Sequence, residues 1–159
     1  MYSILVLCTG NSCRSILGEA LLNHLGEGRV KAYSAGSHPT GRVNPNALAI
    51  LKEQGLPADG YTSKSWEALE GVPIDIVITV CDQAAGETCP AYLGKALRAH
   101  WGLPDPAGVS GSEQEVTAAF RATHDALKRR IERFLALPLE SLSQQDLVEK
   151  LNRIGTADG

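Results

Sequence analysis

Leu5-Val6-Leu7-Cys8-Thr9-Gly10-Asn11-Ser12-Cys13-Arg14-Ser15 is the stretch that decides how this chain folds. Ser3 to Leu7 is an apolar run of strand length, and Ile16, Ala20, Leu21 and Leu25 recur beyond it at helical spacing. A turn from a parallel strand into the following helix converges backbone N–H groups on one point. The helix N-terminus adds partial positive charge there. Gly10 and Asn11 are the residue types that best tolerate the left-handed backbone expected of such a cradle. Thr9, Gly10, Asn11, Ser12, Cys13, Arg14 and Ser15 are therefore the expected oxyanion-binding residues. Cys8 lies at their floor and Arg14 at the mouth of the helix. A free thiol titrates near about 8.5, and a helix N-terminus with an adjacent cation is expected to lower that of Cys8. The planar fork of Arg14 can grip two oxygens of a tetrahedral anion, and Ser15 can donate a hydrogen bond to the Cys8 sulfur. No Gly-Lys-Ser/Thr follows the loop, which excludes a nucleotide P-loop.

Composition narrows the setting. A chain of 159 residues with 43% hydrophobic content can bury one core, so a single domain is expected over residues 1–159. A net charge of −3 argues against nucleic acid or an anionic membrane as partner. No apolar run approaches the ~20 residues of a membrane span, and the first strand is too short for a secretory core. A cytoplasmic location follows as an expectation. There, four cysteines point to catalysis, redox chemistry or metal binding before structural disulfides.

Along the chain, Arg29 to Ala35 reads as a second strand ending at Gly36. Asn44 and Pro45 open a helix that Gly55 closes. Tyr61 to Leu69 reads as a loop with a short helix. Ile74 to Val80 is a nearly continuous apolar strand, as expected where both sheet faces are covered, and it runs into Cys81. Ala99 to Trp101 reads as a short fourth strand. Glu113 to Leu137 is a long amphipathic helix with Ser110 or Ser112 as cap. Ser143 to Ile154 is a terminal helix within an extension from about 139 to 159. The alternation predicts an α/β fold with a doubly wound parallel sheet, whose ligands bind beyond the carboxyl ends of the strands. Cys8, Cys81 and Asp105 all follow predicted strands and can share that edge.

Cys8-Thr9-Gly10-Asn11-Ser12-Cys13-Arg14-Ser15 resembles the signature loop of the low-molecular-weight protein tyrosine phosphatases, and equally that of the arsenate reductases built on the same fold. Asp105-Pro106 resembles the general-acid pair of both groups, and Ser34-Ala35-Gly36 a turn they share. The resemblance runs from about Tyr2 to Leu135. It implies a three-layer α/β/α sandwich with a four-stranded parallel sheet, Cys8 as nucleophile, Arg14 as oxyanion clamp and Asp105 as proton donor. Cys13 reads as a loop thiol that packs or can protect Cys8.

The stretch Val80-Cys81-Asp82 to Thr88-Cys89-Pro90 bears on the choice of activity. Hydrolysis of a phosphate ester needs one sulfur. Reduction of arsenate moves two electrons, so a second thiol must reach the first, and a third lets the oxidised bond move outward. Cys81 and Cys89 meet that requirement, and His100-Trp101-Gly102 and Asp105-Pro106-Ala107 further resemble the reductases. The resemblance thus implies arsenate, or another tetrahedral oxyanion, as substrate. It implies a relay Cys8–Cys81–Cys89 and thioredoxin or glutathione with glutaredoxin as electron donor. The alternatives are a phosphotyrosine phosphatase working through a Cys8 phosphoenzyme, and a non-catalytic oxyanion or redox sensor. No Cys-x2-Cys occurs and the four histidines are scattered, so no metal cofactor is expected. Some related reductases resemble a potassium-binding design built on an Asn, a Glu and an acidic residue after Thr-Ser. Here Asn11 and Glu19 fit, but Lys64 follows Thr62-Ser63, and its ammonium can stand in for the cation. Asn11 is then expected to hold the loop through side-chain to backbone hydrogen bonds.

Overall fold

The computed structural model describes residues 2–81 and 93–156. Four parallel strands, β1 (Tyr2–Leu7), β2 (Val30–Ala35), β3 (Ile76–Thr79) and β4 (Leu97–His100), form one sheet in the order β2-β1-β3-β4. The helices are α1 (Arg14–Leu25), α2 (Pro45–Glu53), α3 (Glu113–Leu135) and α4 (Gln144–Thr156), with 3-10 turns at Trp66–Leu69 and Pro106–Gly108. The register puts Leu7 opposite both Ala35 and Thr79, and Thr79 opposite His100. All four strands therefore end on one line. Cys8, Gly36, Val80 and Trp101 are the first residues past it.

The two sheet faces are covered unequally. Ile4, Val6, Ile76 and Ile78 face a large core built with residues of all four helices, including Leu17, Leu51, Phe134 and Leu151. The opposite face carries Leu5, Leu7 and Val77 in a smaller cluster with Leu69 and Leu93, flanked by Tyr33 and Trp66. Alternate residues of β1 thus serve opposite faces and all four are buried, which explains its unbroken apolar run.

Local chemistry accounts for most element ends. Asn44 caps α2, accepting from Asn46 N at 2.9 Å, and Pro45 opens its first turn. Ser112, rather than Ser110, caps α3 in a reciprocal box with Glu115. The structure moves the fourth strand back from the expected Ala99–Trp101 to Leu97–His100. Leu97 and Arg98 pair with Ile76 and Val77, a long-range ladder that hydrophobic pattern does not show. Trp101 lies just past the strand end, almost fully buried and edge-on to Phe134 with ring centroids 6.3 Å apart.

The C-terminal helix packs Leu147, Leu151 and Ile154 into the large core. It also covers the outer edge of β4. His100 N donates to Asn152 Oδ1 at 3.1 Å, and Trp101 Nε1 donates to the Leu151 carbonyl at 2.8 Å. An edge strand with open backbone groups is a template for unwanted pairing, and here a helix covers it.

Candidate active site

The loop from Cys8 to Ser15 is held from outside. Thr9 O accepts from His38 N at 3.0 Å, Gly10 O from Thr40 N and Ser63 Oγ at 3.0 Å each, and Ser12 O from Asn44 N at 2.8 Å. With its carbonyls turned outward, the loop keeps the N–H groups of Gly10, Asn11, Ser12 and Cys13 without an acceptor among the described residues. Cys13 occupies the N-cap of α1 and makes no side-chain cap there, so the helix N-terminus also stays open. Converging N–H groups and an uncapped helix start favour an anion.

Asn11 is the hinge of this loop. It is fully buried with φ at 46°, the left-handed region expected of it. Its side chain donates to Ser15 Oγ at 2.8 Å and accepts from Lys64 N at 2.8 Å. Gly10, by contrast, is not left-handed. Its small size serves a close approach instead, since an added Cβ would lie 3.3 Å from Thr40 Cγ2. Gly36 is more demanding: a Cβ there would collide with the carbonyl oxygens of Cys8 and Thr9. The Lys64 ammonium donates to Thr62 O at 3.2 Å and acts on Glu19, which also accepts from Ser34 Oγ. Burial pushes the Glu19 carboxyl up, while Ser34 and Lys64 pull it back.

Arg14 lies at the cradle with its fork partly engaged. Nη1 donates to the Leu103 carbonyl at 2.8 Å, and Nη2 lies 3.8 Å from Asp105 Oδ2. Its Nε is buried with no partner among the described residues. That leaves Nε and Nη2 as an edge that two oxygens of a tetrahedral anion can occupy. Asp105 is half exposed, with 49% of its side chain open, and accepts from the Cys13 thiol at 3.6 Å. Burial and the Asp105 charge push the Cys13 thiol up.

Cys81 lies at the same place. Its sulfur accepts from Thr9 N at 3.4 Å, lies 3.6 Å from Thr9 Oγ1 and shares a hydrogen bond with Cys8. Cys8, Cys13 and Cys81 are all buried free thiols. The Cys8 thiol is pushed up, first by its bond to Cys81 and then by burial, with Arg14 pulling the other way. This corrects the expected lowering: contact with a second buried sulfur and burial both disfavour the charged form of Cys8. Cys89 lies outside the described residues. His100 and Trp101 serve the fold: His100 Nδ1 lies 2.7 Å from Thr79 Oγ1, a side-chain hydrogen bond across β3 and β4, and Trp101 packs on Phe134. Among the described residues no three His, Cys, Asp or Glu side chains cluster as metal ligands. No described helix is long and apolar enough to cross a membrane.

The sequence pattern of the low molecular weight phosphotyrosine protein phosphatases matches residues 3–149. The chain belongs to that family. Within it, the chain is 40% identical over 132 residues to the arsenate reductase of Halalkalibacterium halodurans, covering 82% of this chain and 93% of that one. Among solved structures it resembles an arsenate reductase in the phosphate binding state, with a TM-score of 0.71 and 30% identity over 86% of this chain and 98% of the other. A thioredoxin-dependent arsenate reductase from Corynebacterium glutamicum superposes with a TM-score of 0.59 at 29% identity, over 83% of this chain and 62% of that one. The strand-loop-helix cradle, with a thiol at its floor and an arginine at its rim, is the candidate site in this chain. Gly36 and Lys64, which brace it, are the residues whose part the sequence reading understated. The sequence offers Gly36 only as part of a shared turn and Lys64 only as a stand-in cation; the Gly36 contact with the Cys8 and Thr9 carbonyls and the Lys64 N–H bond to Asn11 join distant segments.

Proposed function

We propose that this protein is an arsenate reductase whose Cys8 carries the substrate and whose Cys81 and Cys89 carry its electrons away. The observation that carries the reading is the Cys81 sulfur hydrogen-bonded to Cys8 and to Thr9 N, a second thiol within the cradle that hydrolysis would not use. The loop N–H groups and Arg14 bind the arsenate oxygens and stabilise charge as it develops. The Cys8 sulfur attacks arsenic, and Asp105 donates a proton so that one oxygen leaves as water. The Cys81 thiolate then attacks the Cys8 sulfur. The sulfur–arsenic bond breaks with its electron pair left on arsenic, arsenite departs, and a Cys8–Cys81 disulfide remains. Attack by Cys89 on Cys81 moves the oxidation to a Cys81–Cys89 disulfide and frees Cys8. An external dithiol of the thioredoxin type, or glutathione with glutaredoxin, supplies two electrons to close the cycle. The thioredoxin-dependent relative favours the first donor.

The cytoplasm is the compartment in which such donors keep the relay reduced. No metal is required on this reading, because the Lys64 ammonium supplies positive charge beside Glu19. The test is arsenate-dependent consumption of reductant in a coupled assay. Cys8→Ser should show no turnover, while Cys81→Ser and Cys89→Ser should stop after at most one. Steady turnover by Cys89→Ser would sink the relay, and phosphate-ester hydrolysis outpacing arsenate reduction would return the protein to phosphatase chemistry.

A further inference from the structure

The chain that brings Asp105 to the cradle leaves β4 through Trp101, Gly102 and Leu103, and guanidinium groups take all three of their carbonyls. Arg14 Nη1 holds Leu103 O from the cradle side at 2.8 Å. Arg130 Nη1, reaching from α3 behind the loop, donates to Trp101 O at 3.0 Å and to Gly102 O at 3.3 Å. Two N–H groups of the same turn are tied to the end of β3 and the residue after it, Trp101 N to Thr79 O at 2.7 Å and Leu103 N to Val80 O at 3.0 Å.

Arg130 is an expensive residue to keep there. It is 7% exposed, and its Nε has no partner among the described residues. Burial, and then the charges of Arg129 and Arg133, hold its pKa below the usual guanidinium range, and no ion pair joins it to a carboxylate among the described residues. Taking a cation out of water costs free energy that an apolar side chain of similar size does not. What the guanidinium adds at this position is two fixed carbonyls at the root of the Asp105 loop.

We infer that Arg130 is a positioning residue for proton donation. By pinning Trp101 and Gly102 it sets where Leu103 to Asp105 crosses the cradle. The demand on it is greatest when an oxyanion engages Arg14, because the brace on the cradle side is then shared with substrate. Arg130 touches neither substrate nor the reacting sulfurs and acts through Asp105. The inference rests on Asp105 being the proton donor.

The experiment is a double-mutant cycle on single-turnover arsenate reduction, read as thiol loss, with folding checked by thermal unfolding. Asp105→Asn should slow the turnover about 100-fold. Arg130→Met should slow it about 10-fold, the scale of a misplaced group, with apparent arsenate affinity within about twofold because the cradle is untouched. The double variant should be no slower than Asp105→Asn alone, and Arg130→Lys should recover part of the loss. Multiplying losses in the double variant, or wild-type rates for Arg130→Met beside a slow Asp105→Asn, overturn the inference and leave Asp105 standing. A wild-type rate for Asp105→Asn removes the proton donor and the inference with it. If Arg130→Met does not fold, the same cycle with Arg130→Lys decides by the same criteria.

Discussion

Of the two loops that meet over the carboxyl edge of the sheet, the one from Cys8 to Ser15 is braced by neutral groups. Residues 38, 40, 44 and 63 donate to its carbonyls, and Asn11 links it to Lys64 N. The loop from Trp101 to Asp105 is braced by charge, with Arg14 on one side and Arg130 on the other. The difference matters for an anion site. Neutral outward bonds keep the cradle's N–H groups aimed inward whether or not substrate is present, which is preorganisation. A loop held partly by Arg14 is held by the group the anion also needs, so substrate and proton donor are linked through one guanidinium.

The contrast can be broken at three points. The largest effect is expected from Gly36→Ala. The added methyl meets the Cys8 and Thr9 carbonyls, so the cradle backbone must shift. Steady-state reduction should fall about 100-fold, with about 1–3 kcal/mol lost from unfolding stability. An unchanged rate would mean that the cradle is not preorganised from outside. Next is Cys81→Ala. Cys81 is the first cause holding the Cys8 thiol up, so removing it must lower the Cys8 pKa. The alkylation rate of Cys8 by iodoacetamide should rise at lower pH than in the wild type. A pH profile that does not move would assign the shift to burial alone. The smallest effect is expected from Trp101→Phe, which keeps an aromatic ring near Phe134 but removes the Nε1 bond to Leu151 O. Loss of one buried hydrogen bond is worth about 1–2 kcal/mol, read by urea unfolding. A larger loss would show α4 to be more central to the fold than one hydrogen bond.

The cradle was legible because its parts are local: an apolar strand, Asn11 at the turn, Arg14 opening a helix, all within one strand-loop-helix unit. The family resemblance added Asp105. The reading went astray where a distant neighbour decides. The expected low pKa of Cys8 takes account of Arg14 and the helix, but Cys81 is 73 positions away along the chain and in contact only once β1 and β3 pair. Gly10 was assigned a left-handed backbone when its role is to admit Thr40. The fourth strand began two residues earlier than its pattern showed, because pairing with β3 rather than apolar alternation defines it.

By itself the sequence determined the order of elements, the parallel sheet and a thiol beneath an anion-binding turn, since each follows from periodicity and turn chemistry within a few residues. Only the tertiary structure decided that Cys81 meets Cys8, that Lys64 and Gly36 brace the cradle, that Arg130 stands behind the Asp105 loop and that α4 covers β4. Those contacts join residues far apart in the chain, and a residue's type names the bonds it can make without naming the partner the fold will bring to it.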